Sequence, residues 1–312
     1  MKGKKVLVTG GSGFIGSHLV DRLMSIGAEV TLMTKYNSLV ENIRLKDVWD
    51  KLNIIEVDLR DIDSLKQVKD VAPEIIYHLA AYNHVGSSFM HVNQVFDVNA
   101  KGTANLIEAY DGYERFIYTS TSEIYGYQEE VPFRENMNPC PISPYSVTKY
   151  AGELYCRMKM RMGNPIVVLR PFNTFGPYQS SKAVIPEIAT KCLNNETVKI
   201  TKGTQTREFN YVGDIIDGLI LAGEKEEAIG KIINLGNGRE IAIKELAEAI
   251  VKLTGSKSKL EVGALPHRPI EIWRMCAAND LAKKYLGWEP KTSFEEGLKK
   301  TIDWFQENDL RI

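Results

Sequence analysis

The chain has 312 residues, 44% hydrophobic and 25% charged, an ordinary globular balance with enough length for one large domain or a large one plus a small one. Its formal net charge of −1 gives no electrostatic case for nucleic acid or an anionic membrane, and leaves only the option of a local basic pocket. Cys140, Cys156, Cys192 and Cys276 lie far apart with no C-x-x-C pair, which argues against a zinc site or a disulfide framework and for reduced, mostly buried thiols.

In chain order, Lys2, Lys4 and Lys5 precede a short apolar run, Val6-Leu7-Val8. That run is too short for a signal-peptide core, and no run approaches the length of a membrane span, so a cytoplasmic protein is expected. The run reads as a strand over 5–8 and leads into Thr9-Gly10-Gly11-Ser12-Gly13-Phe14-Ile15-Gly16, which opens a helix over 14–26. The G-x-x-G-x-x-G spacing in a strand–turn–helix context points to dinucleotide binding. Gly10 permits the tight turn, Gly13 lets backbone approach a pyrophosphate seated on the helix N-terminus, and Gly16 allows close helix–strand packing. Ser12, Phe14 and Ile15 belong to the same cofactor-binding loop.

A second strand, over 29–33, ends in Thr34-Lys35, where an acidic residue would usually hold the ribose 2′-hydroxyl. These two are either surface residues or a hydroxyl and a cation for the 2′-phosphate of NADP, and NADP is favoured over NAD. The third strand, over 53–57, ends in Asp58-Leu59, placed to face the adenine; Asp61 reads better as the N-cap of a helix over 61–71. Further strands over 74–78, 115–119 and 165–169 alternate with helices over 95–110 and 144–162. This predicts a parallel sheet covered on both faces, with ligands beyond the strands' carboxyl ends.

On the 144–162 helix, Tyr145 and Lys149 lie four apart and so share a face. A phenol normally titrates near about 10. A neighbouring ammonium and an oxidised nicotinamide both favour phenolate, which can then take a hydroxyl proton while hydride leaves the same carbon. After Phe172 the pattern loosens into helices over 185–194, 243–254 and 294–308 and short strands over 231–235 and 259–262. The expected fold is α/β: a Rossmann-type doubly wound parallel sheet over 1–172 and a smaller C-terminal α/β substrate lobe over 173–312, with some chain exchange between them.

Further motifs lie around these: Tyr77-His78-Leu79-Ala80-Ala81, Asp97-Val98-Asn99-Ala100-Lys101-Gly102-Thr103, Arg170-Pro171-Phe172-Asn173-Thr174-Phe175-Gly176-Pro177, Gly203-Thr204-Gln205-Thr206-Arg207-Glu208-Phe209, His267-Arg268-Pro269 and Leu286-Gly287-Trp288-Glu289-Pro290. With them the sequence resembles, over nearly its whole length, an extended short-chain dehydrogenase/reductase of the nucleotide-sugar epimerase/dehydratase group. The resemblance implies a tightly bound, recycled NAD(P) lined by Leu79, Ala80, Ala81, Asn99 and Pro171 as well as the residues above. It implies that Thr121 hydrogen-bonds the sugar C4 hydroxyl and that Asn173 and Arg207 hold the sugar-nucleotide diphosphate, with Arg268 as a second cation. His84, within Asn83–Phe89, and Val184, within Gln179–Pro186, fall in stretches similar to dehydratases and join the substrate site.

Within Thr119-Ser120-Thr121-Ser122-Glu123-Ile124-Tyr125-Gly126, Glu123 stands where the family's dehydratases carry a Glu and its galactose-type epimerases a neutral residue. Ser122 stands as in the GDP-mannose type. The implied catalytic set is Thr121, Ser122, Glu123, Tyr145 and Lys149, and the implied reaction is a nucleotide-sugar 4,6-dehydration in which Glu123 takes the C5 proton. A 4-epimerase, a UDP-glucuronate decarboxylase and a 4-keto-sugar reductase are the alternatives. A cofactor-binding regulator on the same fold is the non-enzyme alternative, weakened because Thr121, Tyr145 and Lys149 are all retained. His78 and His84 lack partners at ligand spacing, so no metal is expected. Family members pair the helices over 95–110 and 144–162 across a four-helix bundle, which implies a homodimer.

Overall fold

The apolar runs of the first half become parallel strands. In this computed structural model, which describes residues 1–35, 43–267 and 271–308, seven strands form one sheet: β1 (Lys5–Thr9), β2 (Glu29–Thr34), β3 (Asn53–Glu56), β4 (Ile75–His78), β5 (Arg115–Thr119), β6 (Ile166–Pro171) and β7 (Ile232–Leu235). Their order is β7-β6-β5-β4-β1-β2-β3, and every pair is parallel. Chain order reverses between β1 and β4, so the crevice beyond their carboxyl ends is the topological switch point of a doubly wound sheet.

Alternate residues of each strand feed opposite layers. Val6 and Val8 pack with Leu19 and Leu23 of α1 (Phe14–Ser25), while Leu7 packs on the other face with Ile107 of α2 (Gly102–Ala109) and Phe116. The second face also carries α3 (Pro144–Arg161), whose Cys156 is buried there. Each such side chain contributes about 1.5–3 kcal/mol on burial. A separate core lies among α4 (Val184–Leu193), α6 (Ile243–Thr254) and α8 (Phe294–Glu307), filled by Phe175, Ile188, Phe209, Leu246, Ile250 and Leu298.

Several elements differ from the sequence reading. Between those lobes runs a helix the sequence did not announce, α5 (Val212–Glu224), which returns to the first layer beside α1; α7 (Asp280–Leu286) and Trp288 follow it there. The helix expected over 95–110 is broken into Val92–Val95, a π-helical turn over Phe96–Lys101, and α2. The stretch 61–71 narrows to a 3₁₀ turn, Ser64–Lys66, and one short helix, Gln67–Val71, that stops where Ala72 turns left-handed at φ 45°. Among the described residues no helix is long and apolar enough to cross a membrane.

Candidate active site

The glycine loop leaves β1 at the switch point. Gly10 holds φ +70°, and a Cβ there would lie 2.6 Å from the Ala80 backbone nitrogen. A Cβ on Gly16 would lie 2.1 Å from the Gly10 carbonyl oxygen, so both positions require glycine for the loop to close. Gly13 is the N-cap of α1; it makes no side-chain cap and no acidic residue occupies the first turn. The helix therefore presents backbone N–H groups and a positive dipole end suited to an anion. Leu79 and Ala80 lie alongside: Leu79 N–H donates to the Thr9 carbonyl (3.2 Å) and Ala80 N–H to Thr9 Oγ1 (3.1 Å). Thr9 Oγ1 also pairs with Nδ1 of buried His78 at 2.7 Å. Burial holds His78 down to about 3, so it is a neutral structural imidazole.

At the far end of the loop, Thr34 Oγ1 is buried and meets no hydrogen-bond partner among the described residues, while Lys35 is exposed. Asp58 does not stand open. Arg60 forks its carboxylate, with Nε at 2.9 Å from Oδ1 and Nη2 at 2.5 Å from Oδ2, and holds it down to about 2. Leu59 is buried and offers its carbonyl to Asn105 Nδ2 at 2.9 Å. Arg44, to which the sequence reading gave no role, reaches back to the glycine loop: Nη1 donates to the Ser12 carbonyl (3.4 Å) and Nε to that of Tyr178 (3.0 Å). These features fit a dinucleotide: a cradle only glycine can make, an uncapped helix start, and an orphaned buried hydroxyl.

Ser143 caps α3 by accepting from Ser146 N–H (3.1 Å), Ser146 Oγ accepts from Ser143 N–H, and Pro144 takes the first helical position. This fixes Tyr145 in the first turn and buries Lys149 one turn on. Thr121 caps a 3₁₀ turn, Ser122–Tyr125, by accepting from Glu123 N–H at 3.2 Å. Gly126 ends that turn at φ +57°, where a Cβ would lie 1.6 Å from the Cys140 carbonyl oxygen. The two starts meet. Burial pushes the Tyr145 phenol up to about 12, a hydrogen bond with Thr121 opposes this, and the Glu123 carboxylate, close enough to act by charge, adds to it. Thr121, Glu123 and Tyr145 are thus brought together, with Glu123 half-buried.

Ser122 and Lys149 have neighbours of their own. Ser122 is buried and its hydroxyl donates to Met275 Sδ at 3.4 Å, which engages it away from the Tyr145 cluster. Lys149 Nζ lies 4.4 Å above the Tyr118 ring, and burial lowers it to about 8. Asn99 lies within the π turn, where Nδ2 donates to Thr148 Oγ1 (3.1 Å) and Oδ1 accepts from Tyr82 N–H (2.7 Å), tying that helix to α3. Pro171 ends β6 opposite Leu235.

Of the residues expected at the substrate, Arg207 is ordered by Glu271 (Nη2 to Oε1, 2.7 Å) and by the Thr206 and Ile272 carbonyls. Asn173 offers its carbonyl to Asn210 N–H at 2.8 Å, Val184 opens α4, and exposed His84 caps the short helix Val85–Ser88 through Ser87 N–H. Arg268 lies outside the described residues. Behind the cluster the sequence reading missed a buried pair, Glu153 and Arg170, joined at 2.5 Å. The described residues contain no group of three His, Cys, Asp or Glu able to hold a metal ion.

The family model described as GDP-mannose 4,6 dehydratase matches residues 7–301. Among curated relatives, the dTDP-D-glucose 4,6-dehydratase of Mus musculus is 33% identical, over 98% of this chain and 89% of that protein. Among solved structures, the epimerase Mth375 of Methanothermobacter thermautotrophicus superposes with a TM-score of 0.91 at 35% identity, covering 98% of this chain and 93% of that one. DesIV, the dTDP-glucose 4,6-dehydratase of Streptomyces venezuelae, solved with NAD bound, gives 0.90 at 28% identity, covering 97% of each.

Proposed function

Because the chain belongs to the extended short-chain dehydrogenase/reductase family of nucleotide-sugar dehydratases and epimerases, we propose that this enzyme is a nucleotide-sugar 4,6-dehydratase. The observation that carries the reading is the meeting of Thr121 and Glu123, from one turn, on the Tyr145 phenol.

The nicotinamide cofactor supplies hydride acceptance at C4 and hydride return at C6. Gly10, Gly13 and Gly16 with the start of α1 hold its pyrophosphate. Buried Thr34 Oγ1 and exposed Lys35 support NADP over NAD, since a 2′-phosphate offers acceptors and charge to both. Thr121 hydrogen-bonds the C4 hydroxyl, and Tyr145, whose phenolate the Lys149 ammonium and an oxidised nicotinamide would favour once the cofactor is bound, takes its proton. The 4-keto group acidifies the C5 proton, which Glu123 removes; the protonated Glu123 then delivers its proton to the departing C6 hydroxyl, and the proton taken up by Tyr145 is the one that restores C5 when C6 is reduced. Ser122, engaged with Met275, takes no part in this scheme. Arg207 grips the diphosphate with the N–H groups not committed to Glu271 or to the Thr206 and Ile272 carbonyls, with Asn173 alongside and Arg268 as a second cation, while His84 and Val184 join the rest of the substrate site. Residues 1–172 then mainly bind the dinucleotide and 173–312 mainly the nucleotide sugar. A second reading, 4-epimerase, is favoured by the likeness to Mth375 and needs no base at C5.

Incubation with UDP-, GDP-, CDP- and dTDP-sugars followed by mass spectrometry separates these readings: dehydration loses one water, epimerisation leaves mass unchanged, decarboxylation loses carbon dioxide. Glu123→Gln is expected to abolish water loss, by about 10²–10⁴-fold, while nicotinamide reduction stays detectable. Dehydration by that variant at the native rate would remove Glu123 from the role of base.

A further inference from the structure

We propose that Glu153 is a positioning residue for the proton-transfer cluster: one buried carboxylate that holds the Thr121 strand end, the Lys149 helix turn and the Glu123 turn in fixed relation and keeps Lys149 charged. The inference rests on the roles given to Thr121, Glu123 and Lys149 above.

Glu153 lies on α3, one turn beyond Lys149, and like Arg170 is fully buried. Its Oε2 accepts from Ser120 Oγ (2.8 Å) and Arg170 Nε (3.1 Å), and its Oε1 accepts from Arg170 Nη2 (2.5 Å). Ser120 immediately precedes Thr121. Arg170 Nη1 continues to the Tyr125 hydroxyl at 2.7 Å, which donates onward to Asn234 Oδ1 at 2.7 Å. Tyr125 closes the 3₁₀ turn that carries Glu123. Three elements that carry chemistry therefore converge on one side chain. Stability is a weak account of it, because desolvation of a buried ion pair largely offsets the attraction within it.

The groups facing Lys149 show why the charge matters. From β4 comes neutral His78, from β5 the Tyr118 ring beneath Nζ, and from α3 itself Glu153 and Cys156, with Arg170 of β6 paired to Glu153. Burial drives the Tyr118, Tyr145 and Cys156 protons up, so all three stay neutral. Among the described residues, Glu153, paired with Arg170, is then the acid that favours a charged Lys149 against the desolvation that lowers it to about 8. Removing the Glu153 charge withdraws a raising influence, so Lys149 must lose its proton at lower pH.

The test uses full-length protein and two readouts. One is the titration of Lys149 by NMR of ¹³C-labelled lysine without substrate, its signal assigned by its loss in Lys149→Met. The other is single-turnover nicotinamide reduction on mixing with nucleotide sugar, with substrate affinity measured alongside. Glu153→Gln is expected to move the Lys149 midpoint down by about one pH unit and to slow reduction by about tenfold or more, with substrate Kd within about twofold. Glu153→Asp keeps the charge but shortens the tether, and Ser120→Ala cuts one tether only; both are expected to slow reduction severalfold with the Lys149 midpoint near native. An unmoved midpoint in folded Glu153→Gln overturns the proposal. If thermal melting shows that variant unfolded, native reduction rates in both Glu153→Asp and Ser120→Ala overturn it instead. If the native protein reduces no cofactor with any nucleotide sugar, the dehydratase reading fails, and the Lys149 titration alone decides this proposal.

Discussion

A phenol is a poor base in a dry pocket, and Tyr145 shows what the pocket does about it. Burial raises its proton affinity, the Thr121 hydroxyl lowers it, and the Glu123 carboxylate raises it again, so the resting site keeps the phenol protonated at neutral pH. Glu208 shows the same physics away from the chemistry. It is fully buried next to Arg207, and its carboxylate accepts from Ala277 N–H (2.7 Å), Asn237 N–H (2.5 Å) and Asn210 Nδ2 (3.1 Å). Those donors only partly offset desolvation, which pushes it up to about 7. A carboxyl raised in the folded state binds more protons there than when unfolded, so its contribution is full below its unfolded value of about 4.5 and is lost as pH rises through about 7. Glu208→Gln is expected to remove that slope, on the order of 3 kcal/mol at most between pH 4.5 and 7.5, in denaturant midpoints measured against the native chain. Parallel curves for the two proteins would show that the carboxylate is not raised.

At the scale of an element, α5 is held by its glycines. A Cβ on Gly218 would lie 2.9 Å from Leu235 Cδ1, and one on Gly223 would lie 2.1 Å from the Tyr77 hydroxyl. Tyr77 is packed inside the sheet, so it has nowhere to go. Gly223→Ala is expected to destabilise by about 1–3 kcal/mol through overpacking, despite the better helix propensity of alanine, read as a lower denaturant midpoint. A gain in stability would show that the helix and sheet have room to part. These glycines also explain why α5 was not legible. Gly213, Gly218 and Gly223 read as breakers, and a helix apolar on most sides lacks the periodic stripe that reveals one. The strands were legible because Val, Ile and Leu runs buried on both faces need only local composition. The same divide runs through the site. The glycine loop and the Tyr145–Lys149 spacing are local patterns; Glu153–Arg170, 17 residues apart, and Glu208–Ala277, 69 apart, are made by the fold. The break before α2, which sets Asn99 against Thr148, has no residue signature of its own.

At the scale of the molecule, α3 and the broken helix before it leave apolar side chains in the open. Leu154 is 46% exposed, Met158 44% and Phe96 43%, with Val147 and Met162 nearby on the same helices. Packing two such helices against those of a second copy would cover them, which is the basis for proposing a homodimer. Leu154→Glu combined with Met158→Glu is expected to shift the protein from dimer to monomer in sedimentation velocity, with the sheet intact by circular dichroism. A native protein already monomeric at micromolar concentration would remove the proposal. The route of the chain has a further consequence. β7 comes from residues 232–235 and seals the edge of β6, and the Trp288 indole N–H then latches onto the Asp214 carbonyl at 2.8 Å. A polypeptide made from its N-terminus therefore carries β6 as an open, adhesive edge until residues 232–235 have been synthesised, an interval in which wrong pairing is possible.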